Sequence, residues 1–396
     1  MRVMGDALMT DKRVVLVDGV TGYWGQRVAE QLLLRDDVHV IGLDAEFPEE
    51  PIKELDFIQA DIRNPLLVDL LREEQVDTIC HLAFEESTRS SESAFDLNVM
   101  GTMKVCGAAA EAKARKLIYM SSTLVYGAEP GNSAFLREEH ALNGKRSYAY
   151  VRDRVEAEGF LNGFRAQVPD VMLTVLRFAH IVGPKCDTPL TRFLREETAP
   201  LLMGFDPMMQ LIHEDDVVNA IIHAIDNDVP GTFNVAADKP LPLMKLVGLS
   251  GKLPLPVLHP LAYAAVSVAG TNLAPIDLNY LRYPCVGDLR RMREELDFTP
   301  QYTAEEALRE FAAQQRTRQY LPEESALAFD EQRLRDTIER RKRARQMAEA
   351  AAPKPPRRRA RRAKAEPLAV ADMSGDASVM EEPGDEDNHA EENGHG

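Results

Sequence analysis

The stretch Val14-Val15-Leu16-Val17-Asp18-Gly19-Val20-Thr21-Gly22-Tyr23-Trp24-Gly25 decides how this chain is read. A short β-branched run breaks into glycines at 19, 22 and 25, and a helical pattern follows from Gln26 to Leu34. A buried parallel strand has this continuous apolar character, and glycines in the turn let the backbone approach a pyrophosphate. The helix behind the turn offers unpaired N–H groups and the positive end of its dipole to that anion. Tyr23 and Trp24 sit within the turn and are counted with Gly19, Gly22 and Gly25 as candidate cofactor contacts.

Two acids downstream agree with a dinucleotide. The run Val38-His39-Val40-Ile41-Gly42-Leu43-Asp44 is a second apolar strand ending in a carboxylate about 20 residues beyond the glycines, as the dinucleotide fingerprint requires. A carboxylate there accepts hydrogen bonds from ribose hydroxyls and repels a 2′-phosphate, so NAD is favoured over NADP. A third strand, Phe57–Gln59, leads to Asp61 and Ile62, placed to meet the adenine.

Further strands are expected at Thr78–His81, Lys116–Met120 and Val171–Leu176, with helices at Leu66–Glu74 and Ala94–Lys113 between them. This βαβα order predicts an α/β fold: a Rossmann-type doubly wound parallel sheet with helices on both faces. After Gly183-Pro184 the pattern loosens into shorter elements, as in a smaller C-terminal substrate-binding lobe, mainly 180–210 and 235–300. A helix at Thr303–Gln314 is expected to close the globular part, so one domain spans 12–315.

The ends differ in character. Residues 1–11 are expected to be disordered, and 316–352 to form a polar helical extension too poor in apolar residues to bury itself. From Pro353 to Gly396 the chain carries basic and then acidic blocks, the mark of a disordered tail. Arg340–Lys364 holds about +11 and Glu366–Gly396 about −10, which leaves about −18 on residues 1–339 within the net −17. The folded part is therefore too acidic for nucleic acid. The Arg357–Arg362 cluster can meet an anionic partner or this chain's own acids.

No segment has the layout of a signal peptide, and the longest apolar stretch, Leu258–Gly270, is too short for a membrane span. Four scattered cysteines lack C-x-x-C spacing, and Cys80 and Cys106 lie in apolar patterns as core thiols. A cytoplasmic protein without a metal site is expected.

At Lys116–Gly127 a strand ends in Ser121-Ser122 and is followed by Val125-Tyr126-Gly127. Together with His81-Leu82-Ala83, Asn98-Val99-Met100-Gly101-Thr102, Leu176-Arg177, Gly183-Pro184, Ile212-His213 and Phe233-Asn234-Val235, this block resembles the extended short-chain dehydrogenase/reductases. Within them it is similar to the NAD-dependent epimerase/dehydratase group that includes UDP-glucose 4-epimerase. The resemblance covers roughly residues 12–315. It implies NAD as cofactor, with Leu82, Ala83, Asn98 and Ser121 among its contacts, a nucleotide sugar as substrate, and homodimer formation.

The resemblance also implies a tyrosine as acid/base, a serine on the same substrate oxygen, and a lysine four residues after the tyrosine. That lysine grips the nicotinamide ribose and lowers the tyrosine pKa. Ser122 matches the serine. Two registers fit the rest, Tyr148 with Arg152 and Tyr150 with Arg154, and spacing from Glu158 to Arg177 favours the second. Neither has the lysine. Arginine keeps the charge, but it cannot release a proton and its fork is bulkier. His180 stands where the epimerases place asparagine, and Met209 where many place an arginine for the diphosphate. Arg192, Arg195, Arg282, Arg290 or Arg291 are the candidate replacements.

Three functions stay open at this point: a nucleotide-sugar epimerase or dehydratase, an NAD-binding protein without turnover, and an NAD-linked reductase of a lipid-like alcohol. The last is motivated by the apolar stretch Leu253–Ala269.

Overall fold

The computed structural model describes residues 12–86, 91–144, 148–258 and 276–320, with positions 335, 338, 341 and 342. The expected disordered segments 1–11 and 353–396, the basic cluster within the latter and most of the 316–352 extension lie outside the described residues. Contacts divide the chain into two units, Met1–Glu324 and Ser325–Gly396, and the sheets and the candidate site belong to the first.

Seven parallel strands form the main sheet: β1 (Arg13–Asp18), β2 (Val38–Asp44), β3 (Asp56–Gln59), β4 (Thr78–His81), β5 (Lys116–Ser122), β6 (Met172–Phe178) and β11 (Gly231–Val235). Their order is β11-β6-β5-β4-β1-β2-β3, so the chain changes direction across the sheet between β1 and β4. In doubly wound sheets the crevice at that point, beyond the strand C-termini, takes the ligand. Register there sets Asp18 opposite Leu43 on one side and His81 on the other.

The strands are long apolar runs because both faces are covered. Helices α1 (Tyr23–Leu33) and α7 (Glu214–Asp226) bury Val28, Leu32, Ile221 and Ile225 against one face. Helices α2 (Leu67–Glu73), α4 (Thr102–Ala112) and α5 (Ala149–Gln167) bury Leu71, Val105, Leu161 and Phe164 on the other. Each such aliphatic side chain stabilises the fold by about 1.5–3 kcal/mol. Cys80 and Cys106 are fully buried thiols within this packing.

The expected single helix over Ala94–Lys113 is instead three pieces: α3 (Glu92–Phe95), a π-helical turn over Asp96–Gly101, and α4. The wider turn is of the kind found at functional sites. It carries Asn98 inward and lets Gly101 pack on Ile62, whose Cδ1 would lie 2.7 Å from a Cβ at position 101.

Beyond β7 (His180–Val182) the elements shorten, as expected. Helix α6 (Pro189–Arg195) starts at a Thr188 capping box. The remaining strands are β8 (Thr198–Leu202), β9 (Met208–Met209), β10 (Leu211–His213), β12 (Leu241–Pro242) and β13 (Leu253–Val257). They form three two-stranded pieces, pairing β10 with β7, β12 with β9, and β13 with β8. Strand β13 turns Leu253 and Leu255 to solvent, and residues 259–269 of the stretch behind the lipid-like reading lie outside the described residues. The closing helix runs over Ala304–Tyr320, longer than the sequence pattern suggested.

A buried ionic network ties these parts together. Arg177, at the end of β6, forks onto Glu158 of α5 with Nε–Oε2 at 2.9 Å and Nη2–Oε2 at 2.5 Å. Its Nη1 donates to Tyr126 Oη at 2.7 Å, and Tyr126 donates onward to Asn234 Oδ1 at 2.7 Å. Ser121 Oγ donates to Glu158 Oε1 at 2.5 Å. Several sequence landmarks are thus one set of mutually satisfied polar groups joining β5, α5, β6 and β11. Removing one partner leaves the other charge buried alone, so Glu158→Ala is expected to cost about 3–5 kcal/mol in urea denaturation. Replacing Glu158 and Arg177 together with leucine and methionine is expected to recover most of it.

Candidate cofactor and active site

Gly19 has φ +64°, and a Cβ there would sit 2.6 Å from the amide nitrogen of Ala83. A Cβ on Gly25 would fall 2.1 Å from the Gly19 carbonyl oxygen. The turn therefore requires glycine at positions 19 and 25, and it is pressed against the backbone that follows β4. Helix α1 begins at Gly22 with no side-chain cap and no acid in its first turn. Its first N–H groups are left for an anion.

A cavity of about 330 Å³ opens over this turn, lined by Gly19, Gly22, Tyr23, Trp24 and Gly25, and by Leu82, Ala83, Phe84 and Glu86. Its far wall carries Tyr119, Met120, Arg154, Lys185, Asp187 and Arg192. A second cavity of about 290 Å³ adjoins it through Gly19 and Ala83 and is lined by Asp44, Asp61, Ile62 and Leu97. Thr21 orients Asp44 by donating to Oδ2 from its N–H at 3.0 Å and from its hydroxyl at 2.7 Å. Asp61 is paired with Arg63 at 2.5 Å, which holds its carboxyl below the usual range.

Arg154 and Arg152 separate clearly. Arg154 is 4% exposed, its guanidinium lies 3.7 Å above the Phe84 ring and 4.2 Å from the Tyr150 ring, and its Nη1 donates to Tyr150 O at 2.9 Å. Its Nη2 is 3.5 Å from Glu86 Oε1, and its buried Nε has no hydrogen-bond partner among the described residues. Arg152 pairs with Asp153 at 2.7 Å, lies over Phe95, and lines neither cavity.

Tyr148 and Tyr150 stack with ring centroids 5.8 Å apart, both buried in the core beneath the lobe. Burial, and then the Glu86 carboxylate, push the Tyr150 phenol well above its ordinary pKa, outweighing the pull of Arg154. The lowered tyrosine pKa that the resemblance implies is thus not what this site has.

Other expected contacts play different parts. Asn98 lines neither cavity; its Nδ2 donates to Glu85 O at 3.0 Å and Asp153 Oδ2 at 3.0 Å, and its Oδ1 accepts Glu85 N–H at 2.8 Å. Ser121 is engaged with Glu158. Ser122 accepts from Leu124 N at 3.3 Å, capping the short helix Thr123–Tyr126. Met209 is core, on the two-residue strand β9. Among the five arginines weighed for the substrate, only Arg192 lines the cavity, held by Asp187 at 2.7 Å. Phe84, Glu86, Lys185 and Asp187 were not singled out from sequence, because they follow the His81-Leu82-Ala83 and Gly183-Pro184 landmarks without a spacing of their own.

His180 is buried on β7 without a charged partner, and burial pulls its imidazole down to about 4. Its unfolded value is near 6.5, so between those values the unfolded chain binds more protons and folding weakens as pH falls. The loss is expected to reach roughly 3 kcal/mol by pH 4. Urea midpoints for the native chain should fall between pH 7 and pH 4.5, and His180→Gln should flatten that slope.

A glycine cradle at the strand-order reversal, an uncapped helix N-terminus and an acid ending β2 define a dinucleotide-binding α/β domain. The model of the NAD dependent epimerase/dehydratase family matches residues 15–236, and the chain belongs to that family. An uncharacterised protein of Mycobacterium tuberculosis (strain ATCC 25618 / H37Rv) is 33% identical over 315 residues, covering 76% of this chain and 83% of the relative. A UDP-glucose 4-epimerase of Mycolicibacterium smegmatis is 28% identical over 323 residues, covering 74% and 95%. The fold is similar to a crystal structure of UDP-glucose 4-epimerase with UDP-glucose from Thermotoga maritima, with TM-score 0.60 and 20% identity over 77% of this chain and 99% of that one.

Proposed function

We propose that this chain binds NAD and oxidises and reduces a hydroxyl-bearing carbon of a nucleotide sugar, as an epimerase or dehydratase does. The observation that carries the reading is the cradle. Gly19 packs on Ala83 at the uncapped start of α1, and its cavity continues without a break to Arg154 and Glu86. These residues fit the cofactor: the orphan N–H groups of α1 suit a pyrophosphate, Asp44 suits ribose hydroxyls, and Asp61 with Ile62 suits adenine. Bound NAD supplies a hydride acceptor there.

The chain's own residues do the rest. Tyr150 exchanges a proton with the substrate hydroxyl, and Ser122 orients the same oxygen. Arg154 holds a fixed positive charge beside them. Arg192 and Lys185 stand on the cavity wall, where a substrate diphosphate requires cations, and Lys185 forms no ion pair among the described residues. They replace the arginine that Met209 lacks. A homodimer remains part of this reading on family grounds, and no helix of the described residues is long and apolar enough to cross a membrane.

A second reading, NAD binding without turnover, draws support from the raised Tyr150 pKa and from Glu86, which offsets the Arg154 charge.

Trp24 is the only tryptophan and lines the cavity, so its fluorescence reports binding directly. NADH is expected to quench it, NADP(H) to bind at least about tenfold more weakly because Asp44 repels the 2′-phosphate, and Gly19→Ala to abolish the signal. Absence of NAD binding defeats both readings. On a sugar-nucleotide panel, Tyr150→Phe is expected to lower kcat by about 100-fold or more at unchanged NAD affinity. NAD binding with no turnover of any panel member selects the second reading.

A further inference from the structure

We propose that Glu214 is a positioning residue for the substrate diphosphate: its carboxylate holds the segment Lys185-Cys186-Asp187 so that Lys185 and Arg192 face the cavity. The proposal rests on the nucleotide-sugar reading and names what sets its two cations in place. Glu214 is the first residue of α7, is 2% exposed and lines neither cavity. A carboxylate removed from water needs hydrogen bonds in return. Glu214 takes them from the loop opposite. Its Oε2 accepts from the Cys186 N–H at 2.6 Å and from the Lys185 N–H at 3.2 Å, and its Oε1 accepts from the Lys185 N–H at 3.3 Å.

The chain makes room for this carboxylate. Gly183 has no positive φ, yet a Cβ there would collide with the Glu214 side chain. The glycine of the Gly183-Pro184 pair is thus required by what packs on it and not by its own backbone. The base from which Glu214 reaches is fixed as well. His213 caps α7 by accepting from the Asp215 N–H at 3.1 Å, and Asp215 pairs with Arg27 of α1. Glu214 therefore meets the loop from a helix end fastened to the helix behind the glycine turn.

Cys186 is fully buried, and its carbonyl is held from the other side by Arg195 Nη2 at 2.8 Å and Thr191 Oγ1 at 3.2 Å. A residue pinned through both its N–H and its carbonyl fixes its neighbours, and here Lys185 and Asp187 stay exposed on the cavity wall. Asp187 carries the constraint onward by pairing with Arg192 at 2.7 Å. The Arg195 and Thr191 bonds lie within one short segment, whereas the Glu214 bond spans 28 residues and ties that segment to α7.

A charge-assisted contact to a phosphate weakens steeply with distance and angle. Withdrawing the carboxylate by one methylene releases the Cys186 N–H and lets Lys185 drift from the diphosphate. The cofactor cradle is built by Gly19, Gly22 and Gly25 on the opposite wall and keeps its shape. Glu214 touches no reacting atom, so its loss appears in substrate binding before it appears in the chemical step.

The test measures KM and kcat of the full-length chain on the sugar nucleotide it turns over, with NADH quenching of Trp24 as the check on the cofactor. Glu214→Asp keeps the charge at the start of α7 but is one methylene short of the Cys186 N–H, whereas Glu214→Gln keeps the length and an acceptor oxygen. Glu214→Asp and Lys185→Ala are each expected to raise KM by about tenfold and to move kcat much less. Glu214→Gln is expected to stay within about threefold of the native KM. Gly183→Ala, whose methyl displaces an intact carboxylate, is a second route to the same rise. Combining Glu214→Asp with Lys185→Ala should fall well short of the product of about 100-fold, because the first acts through the second. A native KM in Glu214→Asp or in Gly183→Ala, a larger loss in Glu214→Gln than in Glu214→Asp, or losses that multiply in the double variant overturns the proposal. A native chain that binds NAD but turns over no sugar nucleotide defeats the nucleotide-sugar reading, and the role of Glu214 falls with it. An active native chain with an indifferent Glu214→Asp defeats only the role of Glu214.

Discussion

Asp18 is buried where β1 ends, and it accepts hydrogen bonds from the Leu82 and Ala83 N–H groups at 2.8 Å each and from His81 Nδ1 at 2.8 Å. The other ring nitrogen, Nε2, lies 2.9 Å from Thr102 Oγ1, whose single proton is donated to Asn98 O at 2.7 Å. The imidazole thus bridges the Asp18 carboxylate and the Thr102 hydroxyl inside the core. This pair closes the sheet at the point where its strand order reverses, and the glycine turn rests on the backbone it fixes. Removing either partner leaves the other's buried polar groups without their hydrogen bonds, which is costly. The pair specifies register more than it adds energy.

The influence of that clamp reaches the reacting end of the cavity through unbroken contacts. His81 holds Thr102, Thr102 holds the Asn98 carbonyl, and the Asn98 amide holds Glu85 and Asp153. Glu86 and Arg154 are the next residues along those two strands of contact. The π-helical turn between α3 and α4 makes this geometry possible by bringing Asn98 inward. The same amide therefore serves as a brace for the site, although the family resemblance suggested a cofactor contact.

The arginine at the lysine position changes the electrostatics in a definite way. A buried guanidinium spreads its charge over a plane and satisfies itself on aromatic faces. Here it lies between Phe84 and Tyr150, with Glu86 close enough to offset it. Burial first, and the Glu86 carboxylate second, push the phenol pKa up. The Arg154 charge still pulls the Tyr150 pKa down, but burial and the Glu86 carboxylate outweigh it.

Local pattern alone made most of the fold legible. Continuous β-branched runs mark strands covered on both faces, and glycines at 19, 22 and 25 mark a turn with no room for side chains. Those signals are local because strand burial and backbone clashes act between near neighbours. The break in the helix over Ala94–Lys113 was not legible, since an alanine-rich segment favours helix of either width and only the packing of Gly101 and Asn98 selects the π turn. Spacing brought Asp44, which ends β2, and Asp61, which follows β3, to the lining of one cavity. The reacting side was decided by tertiary structure. Glu86 lies 64 residues before Tyr150 in sequence, yet Arg154 meets both, with its Nη2 3.5 Å from Glu86 and its guanidinium 4.2 Å from the Tyr150 ring. By itself the sequence determined the glycine turn after β1, because the positive φ at Gly19 and its close approach to Ala83 leave no room for a side chain. Only the folded chain decided what surrounds Tyr150, because side-chain electrostatics depend on distances that no linear spacing encodes.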